Sequence, residues 1–289
     1  MMKKIIIIII PLSFFYLYFF KYFSGNLFTE KIKNSIYPKL ISSDVVEFSD
    51  EFNVEEIIQE TGKMEKSFSS DWWLNSGGLF IKKNGVGSTA KGELAACDKW
   101  RIDYQNYNPE STDDGFHPQN IFRLVLKKKL RDFSQETYFR IVKNNFSKSI
   151  HRNESNGILF FNRYKDGDNL YYAGLRVDGA AVIKKKINGE YFTIAYRKIF
   201  NGSYDREKNL NLLPAGKWIG LKTEIYNIGE DVNLKIYMDK DNSGNWDLAL
   251  EATDNGSSFG GAALSEENYA GIRTDFMDVD FDNYKIKSL

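Results

Sequence analysis

Three aspartates near the end of the chain have a spacing that could support chemistry. Asp278, Asp280 and Asp282 alternate with Val279 and Phe281, so in an extended strand the three carboxylates share one face. Glycoside hydrolysis needs two carboxylates about 5 to 9.5 Å apart, and a pair of these aspartates could supply them. Their short side chains and their place on a terminal strand favour a structural role over this chemistry.

The alternation changes just after the aspartates. Tyr284 and Ile286 follow Asn283 and take the parity that the carboxylates held before it. A strand that shifts its buried side in this way contains an extra residue. The pattern therefore predicts a β-bulge near Asp282.

Aromatic and cationic residues occupy the parity opposite the apolar one in several segments. In TYFRIVK, for example, Phe139 and Ile141 have the core parity, and Tyr138 and Arg140 have the other. Sugars present C–H faces that stack on rings and hydroxyls that bond to charged side chains, so such a face suits a glycan. An ordinary solvated sheet face is the alternative. The candidate substrate-binding residues are Arg123, Tyr138, Arg140, Tyr172, Arg176, Trp218, Lys222 and Tyr237.

Some of these residues could also support polysaccharide cleavage by elimination. This reaction needs a base, often Tyr or His, and cations that neutralise a uronate carboxylate before its neighbouring proton is removed. The candidate catalytic residues are Tyr138, Tyr172, His117 and Arg140.

The segment DKDNSGNWD could bind a metal ion. Asp239, Asp241 and Ser243 have the spacing of positions one, three and five of an EF-hand loop, but Leu250 stands where the bidentate Glu belongs. Because the flanking segments have strand patterns, a β-hairpin turn is the favoured interpretation. Weak calcium binding by this turn is the alternative.

Composition narrows the class of protein. The 289 residues include 39 Lys plus Arg and 39 Asp plus Glu, so no overall charge attracts the chain to nucleic acid and no nucleic-acid partner is expected. Period-two stretches separated by Gly, Asn and Asp turns predict about a dozen or more antiparallel strands in two packed sheets. The one helical pattern is NVEEIIQETGKM, and ELAACDKW reads as a strand in which Cys97 is buried.

The first 25 residues have a different pattern. Lys3 and Lys4 precede an apolar run from Ile5 to Phe20, and Lys21 follows it. The run is shorter than the roughly 20 residues of a transmembrane helix and fits a signal h-region, but no small-x-small cleavage site follows it. A cleaved signal peptide and an uncleaved membrane anchor both stay open, and both place the rest of the chain in the periplasm, at the cell surface or outside the cell. The resulting division is 1–25 for the signal or anchor, 26–43 for a linker and 44–289 for one domain.

Three parts of residues 44–289 carry a resemblance to known proteins. They are the opening VVEFSDEF with DWWLNSGGLF after it, the central KWIGLKTEIYNIGEDVNLKIYMDKDNSGNWDLAL, and the ending YAGIRTDFMDVDFDNYKI. Together they resemble the concanavalin A-like lectin and glucanase superfamily, and within it secreted sugar-binding, polysaccharide-lyase and family 16 hydrolase-type domains. The resemblance implies an all-β, two-sheet antiparallel jelly-roll sandwich. Its concave sheet would bind glycans, and its first and last strands would pair.

The resemblance also implies a structural calcium ion where the first strand meets the last. Asp282 would be a ligand, with Asp50 or Glu51 beside it; a backbone-capping role for Asp282 at the bulge is the alternative. The Glu-x-Asp-x-x-Glu string of the sandwich glucanases is not present in the sequence. The Gln-x-His and Tyr-x-Lys-x-Gly strings of one sandwich lyase family are not present either. Catalysis of either kind is therefore in doubt.

The sequence predicts an exported domain that binds a polysaccharide on its concave sheet without chemistry of its own. The first alternative is a polysaccharide-cleaving enzyme, a lyase before a glycoside hydrolase. The second is a surface adhesion module that recognises protein. The membrane is a further partner if the N-terminal segment is not cleaved.

Overall fold

A computed structural model describes residues 45–289 of the chain. The predicted signal or anchor and the predicted linker lie outside the described residues. The described part forms two antiparallel sheets that pack against each other, which confirms the predicted all-β sandwich. None of its helices is both apolar enough and long enough to span a bilayer.

The strands of the described residues are numbered in chain order. They are β1 (Val45–Asp50), β2 (Glu56–Gln59), β3 (Trp72–Ser76), β4 (Leu79–Lys83), β5 (Val86–Thr89), β6 (Ile121–Leu130), β7 (Phe133–Asn144), β8 (Gly157–Asp166), β9 (Asn169–Arg176), β10 (Ala180–Ile187), β11 (Glu190–Lys198), β12 (Ile219–Ile228), β13 (Asp231–Asp239), β14 (Asp247–Asp254), β15 (Asn268–Asp275) and β16 (Met277–Ser288). Helices α1 (Lys99–Tyr107) and α2 (Pro109–Thr112) lie between β5 and β6, and 3-10 turns cover Met64–Lys66 and Pro118–Asn120.

Strand pairing defines a first and a second sheet. The first sheet has the order β14-β13-β12-β7-β16-β5-β4-β2, with β1 beside β16. The second sheet has the order β11-β10-β9-β8-β15-β6-β3. The consecutive strands β6 and β7 therefore enter different sheets, which decides where the candidate site residues lie.

The first and last strands pair, as the resemblance implies. Asp50 of β1 lies opposite Tyr284 of β16. The pairing of β16 with β7 shifts register between Asp282 and Lys285, and Asn283 has a φ of 52°. Asn tolerates this left-handed conformation better than most residues, so the bulge predicted near Asp282 is confirmed.

The main core lies between the two sheets. It includes Phe139 and Leu221 from the first sheet and Leu124, Phe160 and Ile272 from the second. Since successive side chains of a strand alternate, the neighbours of these residues point away from the core. The outer face of each sheet can therefore be identified from the core residues.

One end of the sandwich encloses a charged pair. Lys185 Nζ lies 2.9 Å from Asp254 Oδ2, and both side chains are fully buried. The Tyr171 hydroxyl donates to the same carboxylate oxygen at 2.6 Å, and Lys185 also donates to the Gly261 carbonyl at 2.6 Å. These bonds satisfy a pair of charges that would otherwise be costly to bury.

Two short segments differ from their predicted structure. The segment ELAACDKW is a turn that leads into α1, because the Asp98 carboxylate accepts a hydrogen bond from the Trp100 N–H at 2.7 Å and caps the helix. Cys97 is consequently exposed. The segment NVEEIIQETGKM contains strand β2, which pairs with β4 and buries Ile58 in the core, so tertiary packing overrides its helical pattern.

Candidate functional site

The outer face of the second sheet is recessed. Phe161 and Tyr172 project from this face, yet they are 0% and 3% exposed. On the outer face of the first sheet, Tyr138, Lys222 and Tyr237 are only half-buried. An apolar cluster covers the recessed face, and its buried members are Trp73, Val125, Leu159, Phe161, Tyr164, Leu170, Tyr172 and Val182.

A cavity of about 360 Å³ opens on this recessed face, and we call it the hollow. Strands β8, β9, β10, β11 and β15 and the loop before β8 contribute its lining. The lining residues are His151, Asn153, Ser155, Asn156, Leu159, Tyr172, Lys184, Tyr191 and Arg273.

Two tyrosine rings and a guanidinium form one wall of the hollow. The rings of Tyr172 and Tyr191 stack with centroids 5.9 Å apart, and the Arg273 guanidinium lies 5.1 Å from the Tyr172 ring centroid. Such a ring pair offers a C–H-binding surface beside a hydrogen-bond donor.

The two tyrosines differ in acidity. Burial raises the pKa of Tyr172 to about 12, against the opposing charge of Arg273. Burial also acts to raise the pKa of Tyr191, but the charges of Arg273 and Lys186 and hydrogen bonds from Tyr172 and Arg273 outweigh it and lower that pKa. Tyr191 is therefore the more readily ionised hydroxyl of the pair.

Arg273 is held in place by an acidic neighbour. Its Nε donates to both oxygens of Asp275, at 2.9 and 3.0 Å. Burial would lower the pKa of Arg273, but Asp275 and the two tyrosines raise it above its ordinary value. The guanidinium therefore stays charged in the hollow.

Lys184 is a second cation of the hollow. Within residues 45–289 its side-chain ammonium makes no hydrogen bond and no salt bridge. Burial, followed by the charges of Arg176 and Arg273, lowers its pKa. The two guanidinium charges outweigh the opposing effect of Tyr191 and Asp178 on this pKa.

Two further predicted residues lie on the same outer face. Arg176 pairs with Asp178 at 2.9 Å and lies 5.2 Å from the Tyr196 ring centroid. Arg123 donates to the Ser76 hydroxyl at 3.0 Å. The structure therefore brings Arg123, Tyr172 and Arg176 together on the second sheet.

The other five predicted binding residues lie on the opposite face of the sandwich. They belong to β7, β12, β13 and the residue before β12, all in or beside the first sheet, and they contact one another or nearby acids. The set therefore does not form the single surface that alternation predicted. These residues are Tyr138, Arg140, Trp218, Lys222 and Tyr237.

The polar groups of this first-sheet set are already partnered. The Tyr138 hydroxyl donates to Asp239 at 2.9 Å, and Arg140 lies 4.7 Å from the Trp218 ring centroid. Lys222 lies 4.9 Å from the Tyr237 ring centroid. The charged and hydroxyl groups of Tyr138, Arg140 and Lys222 therefore already have partners within the protein.

The four catalytic candidates do not converge. Tyr138 and Arg140 lie on the first sheet, Tyr172 lies on the second, and His117 lies just after the helices. His117 Nδ1 is 3.1 Å from Asp113, and burial, followed by Asp239, raises the pKa of Tyr138 to about 12. No shared proton-transfer site connects the four.

The closing aspartates hold the fold together. Asp278 Oδ1 accepts from the Gln119 and Asn145 amides at 2.9 Å each. Asp280 pairs with Lys91 at 2.6 Å and with Arg140 at 2.7 Å. These bonds agree with the structural role that the sequence favours for the aspartates.

The proposed calcium ligands at the β1–β16 junction differ in whether their carboxylate oxygens already have partners. Asp50 Oδ2 accepts from Trp72 Nε1 at 2.9 Å and pairs with Lys82 at 2.8 Å. Its Oδ1 accepts from the Phe52 N–H at 2.8 Å, so both oxygens are occupied. Burial, followed by the charge of Glu51, raises the pKa of Asp282. Asp282 and Glu51 are therefore neighbouring carboxylates that repel each other, and Asp50 does not complete their set.

Hydrogen bonds from its own backbone to Asp239 organise the alternative loop. It connects β13 to β14 as a hairpin, which confirms the favoured interpretation. Asp239 accepts from the N–H groups of Asp241, Ser243 and Gly244. Burial would raise the pKa of Asp239, but these bonds and the Tyr138 hydroxyl lower it. The described residues contain no cluster of three or more His, Cys, Asp or Glu side chains placed to hold a metal.

Only Tyr172 of the residues that line the hollow was selected from the sequence, and the charged or aromatic residues that were missed include Lys184, Tyr191 and Arg273. In AAVIKKKI the parity of Ala181 and Ile183 leaves Lys184 outside, and in YAGIRTDF the parity of Ile272 leaves Arg273 outside. The same rule that selected Arg176 could therefore have found both. Tyr191 follows a tight turn, and alternation alone does not indicate that it reaches back over Tyr172.

Two larger recesses lie elsewhere in the described part of the chain. One of about 590 Å³ has several acids in its lining, including Glu93, Glu110 and Asp113. Another of about 570 Å³ lies beside Lys91 and Arg140, whose charges are paired with Asp280. Neither combines stacked rings with an unpaired charge, as the hollow does.

No protein-family model matches the chain, and no curated protein matches it. Several solved structures do match the chain. A carbohydrate-binding module, CBM66, from Bacillus subtilis is 22% identical over 59% of this chain and 83% of that chain, with a TM-score of 0.41. The GH43 protein BlXynB from Bacillus licheniformis is 13% identical over 84% of this chain, with a TM-score of 0.45, and the match spans only 39% of that protein. A β-glucanase from Bacillus licheniformis is 10% identical over 86% of this chain and all 100% of that chain, with a TM-score of 0.44.

All three of these structures have TM-scores below 0.5, so the two-sheet sandwich is established by the strand pairing of this chain alone. Their low identities and TM-scores do not indicate a ligand or a reaction for this chain.

Proposed function

We propose that this chain is an exported carbohydrate-binding domain whose saccharide ligand occupies the hollow of the second sheet. The observation that carries the proposal is the stacked pair of Tyr172 and Tyr191 beside the fixed guanidinium of Arg273. The stacked rings would contact the C–H face of a sugar, and Arg273 would donate to its hydroxyl or acidic oxygens.

Export is proposed from the N-terminal sequence alone. Two lysines precede the apolar run from Ile5 to Phe20, and such a segment directs the chain that follows across the membrane. Expressing the full chain with a reporter at its C-terminus and locating the reporter by protease accessibility tests this part of the proposal. A reporter that stays inside spheroplasts and is protected from protease there would contradict it.

A structural calcium ion at the β1–β16 junction belongs to the same proposal. Asp282 and Glu51 would hold it, because their mutual repulsion would be relieved by a cation. Asp50 is not included, because Trp72 and Lys82 occupy its carboxylate.

A polysaccharide lyase is the second candidate function, and Tyr191 is the observation that favours it. Its lowered pKa next to Arg273 suits a base that removes a proton beside a neutralised uronate carboxylate. Incubation with uronate polymers tests this activity, because a lyase releases unsaturated products that absorb ultraviolet light. An increase in ultraviolet absorbance would establish it. Unchanged absorbance together with measurable binding would leave the binding function alone.

A glycan array probed with the full chain tests the proposed function. We expect retention on at least one class of neutral or acidic glycan, and we expect Tyr191→Ala to weaken that retention. Loss of a stacked ring costs about 1 to 2 kcal/mol, which corresponds to about five- to thirtyfold in affinity. Tyr107→Ala is the matched control, because Tyr107 is 84% exposed on α1. Equal effects of the two variants, or no retention on any glycan, would overturn the proposal.

A further inference from the structure

We propose that the sugar bound in the hollow carries an anionic group, a carboxylate or a sulfate, that lies against Lys184. This inference rests on the proposed function and adds the chemical class of the ligand. The evidence is the balance of charges on the outer face of the second sheet.

Most cations of this face already have an acidic partner. Arg176 pairs with Asp178 at 2.9 Å, and Arg273 pairs with Asp275 at 2.9 Å. Lys186 pairs with Asp168 at 3.1 Å. Each of these three acids therefore forms its salt bridge with a cation other than Lys184.

Lys184 is left without such a partner. It lines the hollow, and within residues 45–289 its ammonium forms neither a hydrogen bond nor a salt bridge. Arg176 and Arg273 act on it with its own sign of charge, and their effect on its pKa is larger than the opposing effect of Tyr191 and Asp178. A partly buried ammonium without a counter-charge is unfavourable, and a ligand that brings a negative charge would remove this cost.

Arg123 is a second cation near the hollow that has no acidic partner. Arg123 donates to the Ser76 hydroxyl and the Ile121 carbonyl, both uncharged acceptors. It acts electrostatically on Tyr172, so it lies near the hollow. The hollow and its border thus have two cations without a carboxylate partner, Lys184 and Arg123.

The surplus is local and not a property of the whole chain. The sequence has 39 basic and 39 acidic residues, so general attraction to polyanions is not expected. Neutral sugar hydroxyls could accept a hydrogen bond from Lys184, but they would leave its charge uncompensated. An anionic group satisfies both the charge and the donor.

The test measures binding of the full chain to matched polymers by calorimetry. One pair is sodium polygalacturonate and its carboxyl-reduced form, and the other is dextran sulfate and dextran. We expect one charged polymer to bind roughly tenfold or more tightly than its uncharged match. The first pair identifies a carboxylate as the recognised group, and the second identifies a sulfate.

Two lysine variants show whether the preference arises in the hollow. Lys184→Met should reduce affinity for the preferred charged polymer roughly ten- to hundredfold. Lys217→Met is the control, because Lys217 is exposed beside β12 of the first sheet, and its affinity should equal that of the wild type. Lys184→Met should not lower the melting temperature, because it removes an unpaired charge.

The outcomes separate the two proposals. Equal affinity for charged and uncharged polymers, with Tyr191→Ala still weakening both, would overturn the anionic ligand and leave saccharide binding intact. Equal losses in Lys184→Met and Lys217→Met would overturn it as well, because attraction would then be nonspecific. No binding to any of the four polymers, together with no retention on the glycan array, would overturn both proposals.

Discussion

Arg273 Nε lies 2.9 Å from one oxygen of Asp275 and 3.0 Å from the other, two residues further along strand β15. Both side chains are largely buried, at 16% and 3% exposure. The carboxylate fixes the guanidinium beside the Tyr172 ring, so the shape of the hollow depends on this pair.

Asp275→Asn should destabilise the protein, because it leaves the buried Arg273 charge without its counter-charge. We expect the free energy of unfolding, measured by urea titration, to fall by about 3 kcal/mol. Asp168→Asn is the control: it breaks the more exposed pair with Lys186 and should change stability by less than about 1 kcal/mol. Similar losses in the two variants would contradict the role assigned to Asp275.

Lys185→Met should be more harmful than the double change Lys185→Met with Asp254→Asn. The single variant leaves the Asp254 carboxylate buried without its ammonium partner, which costs about 3 to 5 kcal/mol. The double variant removes the charge and keeps an acceptor for the Tyr171 hydroxyl. The free energies of unfolding of the wild type and both variants test this prediction. A double variant no more stable than the single one would refute this account of the pair.

Asp280→Asn should reduce stability at neutral pH and have little effect in strong acid. Burial would raise the pKa of Asp280, but Lys91, Arg140 and Ser88 lower it below the ordinary 3.8. Its contribution is therefore fully present above pH 3.8 and is lost as the pH falls through the lowered folded-state pKa. We expect a loss of about 1 to 3 kcal/mol at pH 7, measured by urea unfolding across a pH series. A loss of constant size down to strong acid would contradict the ionic origin.

Asp282→Asn should stabilise the calcium-free protein at neutral pH. Burial and Glu51 raise the pKa of Asp282, so this residue favours folding below its unfolded-state pKa and loses that contribution as the pH rises through the folded-state value. Calcium should raise the melting temperature of the wild type and leave that of Asp282→Asn unchanged. An equal calcium response in both proteins would remove Asp282 and Glu51 as the calcium site.

Most of the fold could be predicted from the sequence, because alternation of apolar and polar residues identifies the strands and the side of each strand that faces the core. The bulge at Asn283 and the pairing of β1 with β16 were also predicted. The candidate site was less accessible for a physical reason. Alternation shows which side of a strand leaves the core, but it does not show which of two sheets the strand joins, and β6 and β7 join different ones.

Individual residues illustrate this limit. Arg123 and Tyr138 both have the outward parity, yet they lie on opposite faces of the sandwich. Lys184 has the same parity as Arg176 within its strand pattern, but its lack of a partner depends on where Asp178 and Asp275 lie. Such relationships require the folded arrangement of several strands.

A comparison of Tyr191→Ala with Tyr237→Ala tests the central claim most directly, because the two tyrosines lie on opposite outer faces. The measurement is the affinity of each full-length variant for the glycan that the wild type binds best on the array. We expect Tyr191→Ala to lose about five- to thirtyfold in affinity and Tyr237→Ala to bind as the wild type does. Loss of binding in Tyr237→Ala with Tyr191→Ala unaffected would place the saccharide on the first sheet and contradict the account.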